Sequence, residues 1–166
     1  MFNFLDKQVS RLSLFLQYIA LLAFLILTCS VIYEVVARSI INKPTIWSLE
    51  VVTYMISCVA FFGSAYVLRV NKHLEINLVT NLLSEKYKLF LNLLSNFIAF
   101  IFCVIVFYYG IKFINFSLIL GVVSESELRT PLWIPQSTVP IGFFALSLEF
   151  LLRLIKIISQ LKKEYL

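Results

Sequence analysis

Two carboxylates in this 166-residue chain stand four positions before an arginine in apolar surroundings: Glu34 before Arg38, and Glu149 before Arg153. Ionisable residues at membrane depth are costly, so each is a functional candidate. On a helix the i, i+4 spacing places acid and base on one face, where they can pair. Glu149 admits two readings. It could carry a proton or a cation, or it could belong to a neutralised pair that faces protein and orients helix packing. The second is favoured. A translocation site would normally bring several polar groups to one depth, often on helices broken by Gly or Pro. The expected helices are broken nowhere in their interiors, and the chain has four glycines.

Other chemistry is poorly supplied. Cys29, Cys58 and Cys103 fall on three different apolar runs, with no CxxC or Cys/His cluster to hold a metal or form a redox pair. They read as small apolar packing residues. His73 is the single histidine, whereas a membrane haem of the b type wants paired histidines on spanning helices. A quinone-linked disulfide generator needs cysteine pairs near an aqueous loop. A small multidrug exporter places a carboxylate well inside its first helix, but Glu34 lies near the end of this one. The expectation is a protein that is not an enzyme and uses no cofactor or metal.

The elements that must position these residues are membrane helices. Hydrophobic residues make up 61% of the chain and charged residues 14%, which is not the composition of a soluble domain. A spanning helix needs about 20 mostly apolar residues. Four runs qualify as uncharged stretches: Leu12 to Tyr33, Val51 to Leu68, Leu89 to Ile111 and Thr130 to Leu148. The first is too long for the apolar core of a secretion signal, and is expected to be retained as a helix. Helices are expected at about 12–41, 46–70, 86–120 and 137–160. The third would be about 50 Å long, well beyond the bilayer. A short amphipathic helix lying in the interface is expected at about 75–84, where Ile76, Val79, Leu82 and Leu83 recur at helical spacing. The fold class is therefore an all-α integral membrane protein in a single domain.

Lysine and arginine placement sets the orientation. Lys7, Arg11, Arg69, Lys72, Lys86, Lys88, Arg153, Lys156, Lys162 and Lys163 fall on one side, against Arg38, Lys43, Lys112 and Arg129 on the other. Both termini are expected in the cytoplasm. The net charge of +5 then reports cytoplasmic loops rather than nucleic-acid binding. Lipids are the expected surroundings.

The second run is punctuated at both ends. Trp47-x-x-Glu50 opens it and Arg69-x-x-x-His73 closes it, with 18 uncharged residues between Glu50 and Arg69. A plain anchor needs none of this. The outer loop after the third run carries Glu125, Glu127 and Arg129, then Trp133 as an interface anchor.

The ordered set resembles the small membrane subunit, DctQ-like, of tripartite ATP-independent periplasmic (TRAP) transporters. Trp47 and Glu50 match the element that opens the second helix of that family, and Phe61-Phe62-Gly63 matches an aromatic-glycine element. Arg69 and His73-Leu74-Glu75-Ile76-Asn77-Leu78 match an Arg followed by a His-Ile-x-Val-Asp-x-Leu-like segment. Pro131, Trp133 and Pro140-Ile141-Gly142-Phe143 match the approach to the fourth helix. Leu74, Ile76 and Asn77 depart from the usual Ile, Val and Asp. A charged contact made by that Asp in relatives would be neutral here.

The resemblance implies a scaffold for a large elevator-type membrane subunit (DctM-like). It also implies a part in docking a periplasmic substrate-binding protein (DctP-like), in sodium-coupled uptake of an organic acid such as a sialic acid or a C4-dicarboxylate, at the bacterial inner membrane. Candidates for holding helices or meeting the large subunit are Glu34, Arg38, Trp47, Glu50, Arg69, His73, Glu149 and Arg153. Candidates for periplasmic docking are Glu125, Glu127, Arg129 and Trp133. The alternative is a self-sufficient small four-helix transporter using Glu149.

Overall fold

In a bilayer no water satisfies exposed backbone N–H and C=O groups, so long apolar runs must close their hydrogen bonds within themselves as helices. The computed structural model describes residues 2–40, 42, 45–70, 85–126 and 128–165. Its elements are α1 (Phe2–Ser39), α2 (Ile46–Val70), α3 (Glu85–Leu120), a single turn α4 (Trp133–Gln136) and α5 (Thr138–Tyr165). By length and composition, Phe4–Ser39, Ile46–Val70 and Leu89–Leu120 can each cross a membrane. The fourth long helix, α5, carries Glu149, Arg153 and Lys156 along its 28 residues. The chain is thus an all-α membrane protein.

α1 begins ten residues before its apolar run and so carries Asp6 on the same rod as Glu34. With 36 residues, α3 is about 54 Å long at 1.5 Å per residue, against an apolar core of about 30 Å. Pro140 lies in the first turn of α5, where a missing N–H removes no helical bond. The amphipathic helix expected at 75–84 and His73 lie outside the described residues, as do Lys43, Pro44 and Glu127.

Contacts fix the directions. Tyr33 meets Trp47 at one end while Asp6 meets Arg69 at the other, so α1 and α2 are antiparallel. Gly110 faces Pro140, and Phe107 stacks on Phe144, which makes α3 and α5 antiparallel as well. By contrast, α2 and α5 run parallel: Phe61 lies against Gly142, and Arg69 against Glu149. These two helices form the centre, with α1 packed chiefly on α2 and α3 chiefly on α5.

Small residues permit this approach. A Cβ added to Gly142 would lie 2.5 Å from the Phe61 carbonyl oxygen, so only glycine fits there. The core joins Leu16 and Ala20 of α1, Phe62 and Ala65 of α2, and Ala145 of α5. Much of α1 and α3 remains covered with exposed large apolar side chains, among them Tyr18, Leu22, Phe90 and Phe97. Such faces suit lipid or protein neighbours rather than water.

Candidate functional site

Polar side chains inside an apolar bundle must find partners within it, since desolvation without compensation costs several kcal/mol for a charge. The candidate residues gather at the two ends of the α1–α2–α5 block.

At the end where α1 meets α2, two carboxylates act as clasps. Glu34 Oε2 accepts from the Thr45 backbone N–H at 3.0 Å, from Ser48 Oγ at 3.1 Å and from the Thr45 hydroxyl. It thereby fastens the start of α2 to the last turns of α1. Arg38 is exposed in the final turn of α1, where a cation complements the helix dipole. Trp47 stacks on Tyr33 with ring centroids 5.6 Å apart and remains partly exposed.

Glu50 is buried, and it reaches outside its own helix. Its Oε1 accepts from Tyr54 Oη at 2.6 Å, and its Oε2 accepts from the Ser126 hydroxyl in the loop between α3 and α4. Ser126 Oγ is in turn 3.1 Å from Ser124 Oγ, which accepts from the Thr130 N–H at 3.0 Å. Backbone pairing closes the same loop: Ser124 N–H donates to Thr130 C=O at 2.9 Å, and Leu132 N–H to Val122 C=O at 3.1 Å. Gly121 and Arg129 take left-handed φ values of 59° and 44° at its bends. The loop is therefore a built hairpin resting on Glu50, with Glu125, Leu128, Arg129 and Trp133 exposed on it.

The opposite end is organised by Arg69. Its Nε donates to Glu149 Oε1 at 3.0 Å, and its Nη2 donates to Asp6 Oδ1 at 3.0 Å and to the Asp6 carbonyl at 3.1 Å. Ser13 Oγ donates to the same Glu149 oxygen at 2.6 Å. Lys156 Nζ reaches Asp6 Oδ1 at 3.1 Å, and Arg153 donates to the Leu68 carbonyl. One guanidinium thus joins α1, α2 and α5, and the planar fork of Arg suits such divided bonding. Glu149 is only 3% exposed. Helical spacing offers Arg153 as its partner along α5; the structure brings Arg69 to it from the neighbouring helix, because α2 and α5 lie side by side in parallel register.

Four residues of these clusters, Asp6, Ser13, Tyr54 and Ser126, are not singled out by sequence motifs. Their partners lie 63 and more positions away for all but Tyr54, whose i, i+4 relation to Glu50 was the available signal. Beside the Arg69 cluster, Gln17 Oε1 is buried with no hydrogen-bond partner, facing Gly63. Among the described residues no group of three His, Cys, Asp or Glu side chains could hold a metal ion. Each of these carboxylates is thus held by donors from a neighbouring element: hydroxyls for Glu34 and Glu50, and a guanidinium for Glu149.

Among known proteins, the family of "Tripartite ATP-independent periplasmic transporters, DctQ component" matches residues 27–160. The chain is also similar to the "Sialic acid TRAP transporter permease protein SiaT" of Haemophilus influenzae (strain 86-028NP), at 29% identity over 85 residues. That match covers 51% of this chain and 14% of the relative's length.

Proposed function

The chain belongs to the DctQ components of the tripartite ATP-independent periplasmic transporters, and we propose that it is the fixed scaffold of such a transporter. In this reading it buttresses a large elevator-type membrane subunit and contributes part of the docking surface for a periplasmic substrate-binding protein. The supported process is sodium-coupled uptake of an organic acid at the bacterial inner membrane. Both termini lie in the cytoplasm, and the α3–α4 hairpin faces the periplasm. A sialic acid is the first substrate to try, since the similar permease is named for it; a C4-dicarboxylate is the second.

The observation that carries the proposal is the immobilised Arg69–Glu149 pair, which ties three unbroken helices together. A carrier carboxylate needs access to water and freedom to release its cation. Glu149 is poorly placed for either: it is 3% exposed, and Arg69 and Ser13 both donate to its Oε1. Unbroken helices suit a stationary element, whereas transport sites are commonly built on broken ones. The exposed apolar faces of α1 and α3 offer area for the larger subunit. Candidates for contact or anchoring remain Glu34, Arg38, Trp47, Glu50, Arg69, His73, Glu149 and Arg153, with Glu125, Glu127, Arg129 and Trp133 for docking.

Proteoliposomes containing the large subunit, the binding protein and this chain should take up labelled sialic acid down a sodium gradient. Omitting this chain should abolish uptake, and Glu149→Gln should retain it wherever assembly is intact. Uptake by this chain alone, lost in Glu149→Gln, would establish the self-sufficient transporter instead.

A further inference from the structure

Lys112 is the one basic residue in the apolar stretch of α3 from Leu89 to Leu120. It lies eight residues before the end of that helix, about 12 Å along its axis. Its side chain is exposed, and its amine stands 4.6 Å from the Tyr108 ring centroid and 5.9 Å from that of Tyr109. Among the described residues no carboxylate lies within ion-pair distance of it. A cation at this depth needs an anion, and none of the described side chains provides it.

Beside Lys112 runs an open groove of about 680 Å³, walled by Ile105, Tyr109, Phe113 and Phe116 of α3 and by Val139 of α5. Val106 and Gly110 also line it, and Gly110 lies against Pro140 of α5. From Ile105 to Phe116 the groove follows eleven residues of helix, about 16 Å. One leaflet of a bilayer core is about 15 Å deep. From Lys112 inward to Ile105 it runs about 10 Å, room for the upper two-thirds of one acyl chain beneath a cation.

We propose that this groove is a binding site for an anionic phospholipid of the outer leaflet. One acyl chain fills the groove, and Lys112 neutralises the phosphate. Lys112 lines the groove, and its amine leans one turn back along α3, over the Tyr108 ring. The Tyr108 ring holds the amine on that side through a cation–π contact. The site does not depend on the chain's place in a transporter. Only the name of the leaflet follows from the orientation proposed above.

The test is native mass spectrometry of the detergent-purified full chain, with phosphatidylglycerol and phosphatidylcholine added separately. Wild type and Lys112→Arg should each retain one phosphatidylglycerol, more strongly than phosphatidylcholine. Lys112→Gln should retain it about fivefold less, the effect of one basic residue at an anionic surface. Val106→Phe, which narrows the groove, should release both lipids while leaving the helical content unchanged. Equal retention by wild type and Lys112→Gln, or no headgroup preference, would overturn the assignment. So would a photoreactive phenylalanine at Phe113 that captures a helix of the larger subunit, rather than lipid, in the assembled transporter.

Discussion

Arg69 and Glu149 should be coupled energetically, because each leaves the other stranded when removed. In Arg69→Gln the Glu149 carboxylate loses its guanidinium and keeps the Ser13 hydroxyl as a donor, in a site where its side chain is 5% exposed. Breaking a buried ion pair from one side costs about 3–5 kcal/mol. The second pair of Arg69, with Asp6, has 36% exposure on the acid and adds no more than about 1 kcal/mol. Glu149→Gln is milder. Its amide oxygen still accepts from Ser13, and Arg69 keeps Asp6, so the loss is about 1–3 kcal/mol. The double variant contains no stranded charge at Glu149 and should be no less stable than Arg69→Gln alone. The coupling energy is then about 1–3 kcal/mol, within the range for residues in contact. Reversible unfolding in mixed micelles, followed by helical circular dichroism, measures all four corners of the cycle. Additivity within about 0.5 kcal/mol, or a loss below about 1 kcal/mol for Arg69→Gln, would refute the reasoning.

Three further outcomes are expected. Ser126→Ala should free the α3–α4 hairpin from Glu50 and raise the binding-protein concentration needed for half-maximal uptake, with copurification of the large subunit unchanged; Glu50→Ala should do the same and expose the hairpin to protease. Gly142→Ala should force α2 and α5 apart, because its methyl carbon would meet the Phe61 carbonyl at 2.5 Å, with a loss of at least about 1–3 kcal/mol in the same unfolding assay. Gln17→Leu should be neutral or stabilising, since it removes a buried carbonyl that has no partner.

The apolar runs were readable because a bilayer admits few alternatives: about 20 uncharged residues must be helical to satisfy their own backbone. Trp47 and Glu50 stood out as bracketing the start of the second run. What Glu50 holds was not readable, because the sequence offers no rule pairing a helix residue with a loop serine 76 positions later. Glu149 shows the same limit. Spacing along one helix points to Arg153, while its counterion comes from a helix 80 positions earlier. A signal was present. Registering Phe61-Phe62-Gly63 of α2 against Gly142 of a parallel α5 places residue 69 beside residue 149. Asp6 stood outside the apolar run and drew no attention, although α1 continues through it as helix.

A chain that serves as a fixed scaffold should work with its helices locked together, and that is directly measurable. A Cβ at Gly63 lies 3.9 Å from the Ala20 Cβ, within the separation a disulfide needs. The Ala20→Cys/Gly63→Cys variant, with Cys29, Cys58 and Cys103 replaced by alanine, can be oxidised to lock α1 to α2. Reconstituted with the large subunit and the binding protein, it should support the same sodium-driven uptake whether oxidised or reduced. Uptake that appears only after reduction would mean that these helices move during transport, and the scaffold account would be contradicted.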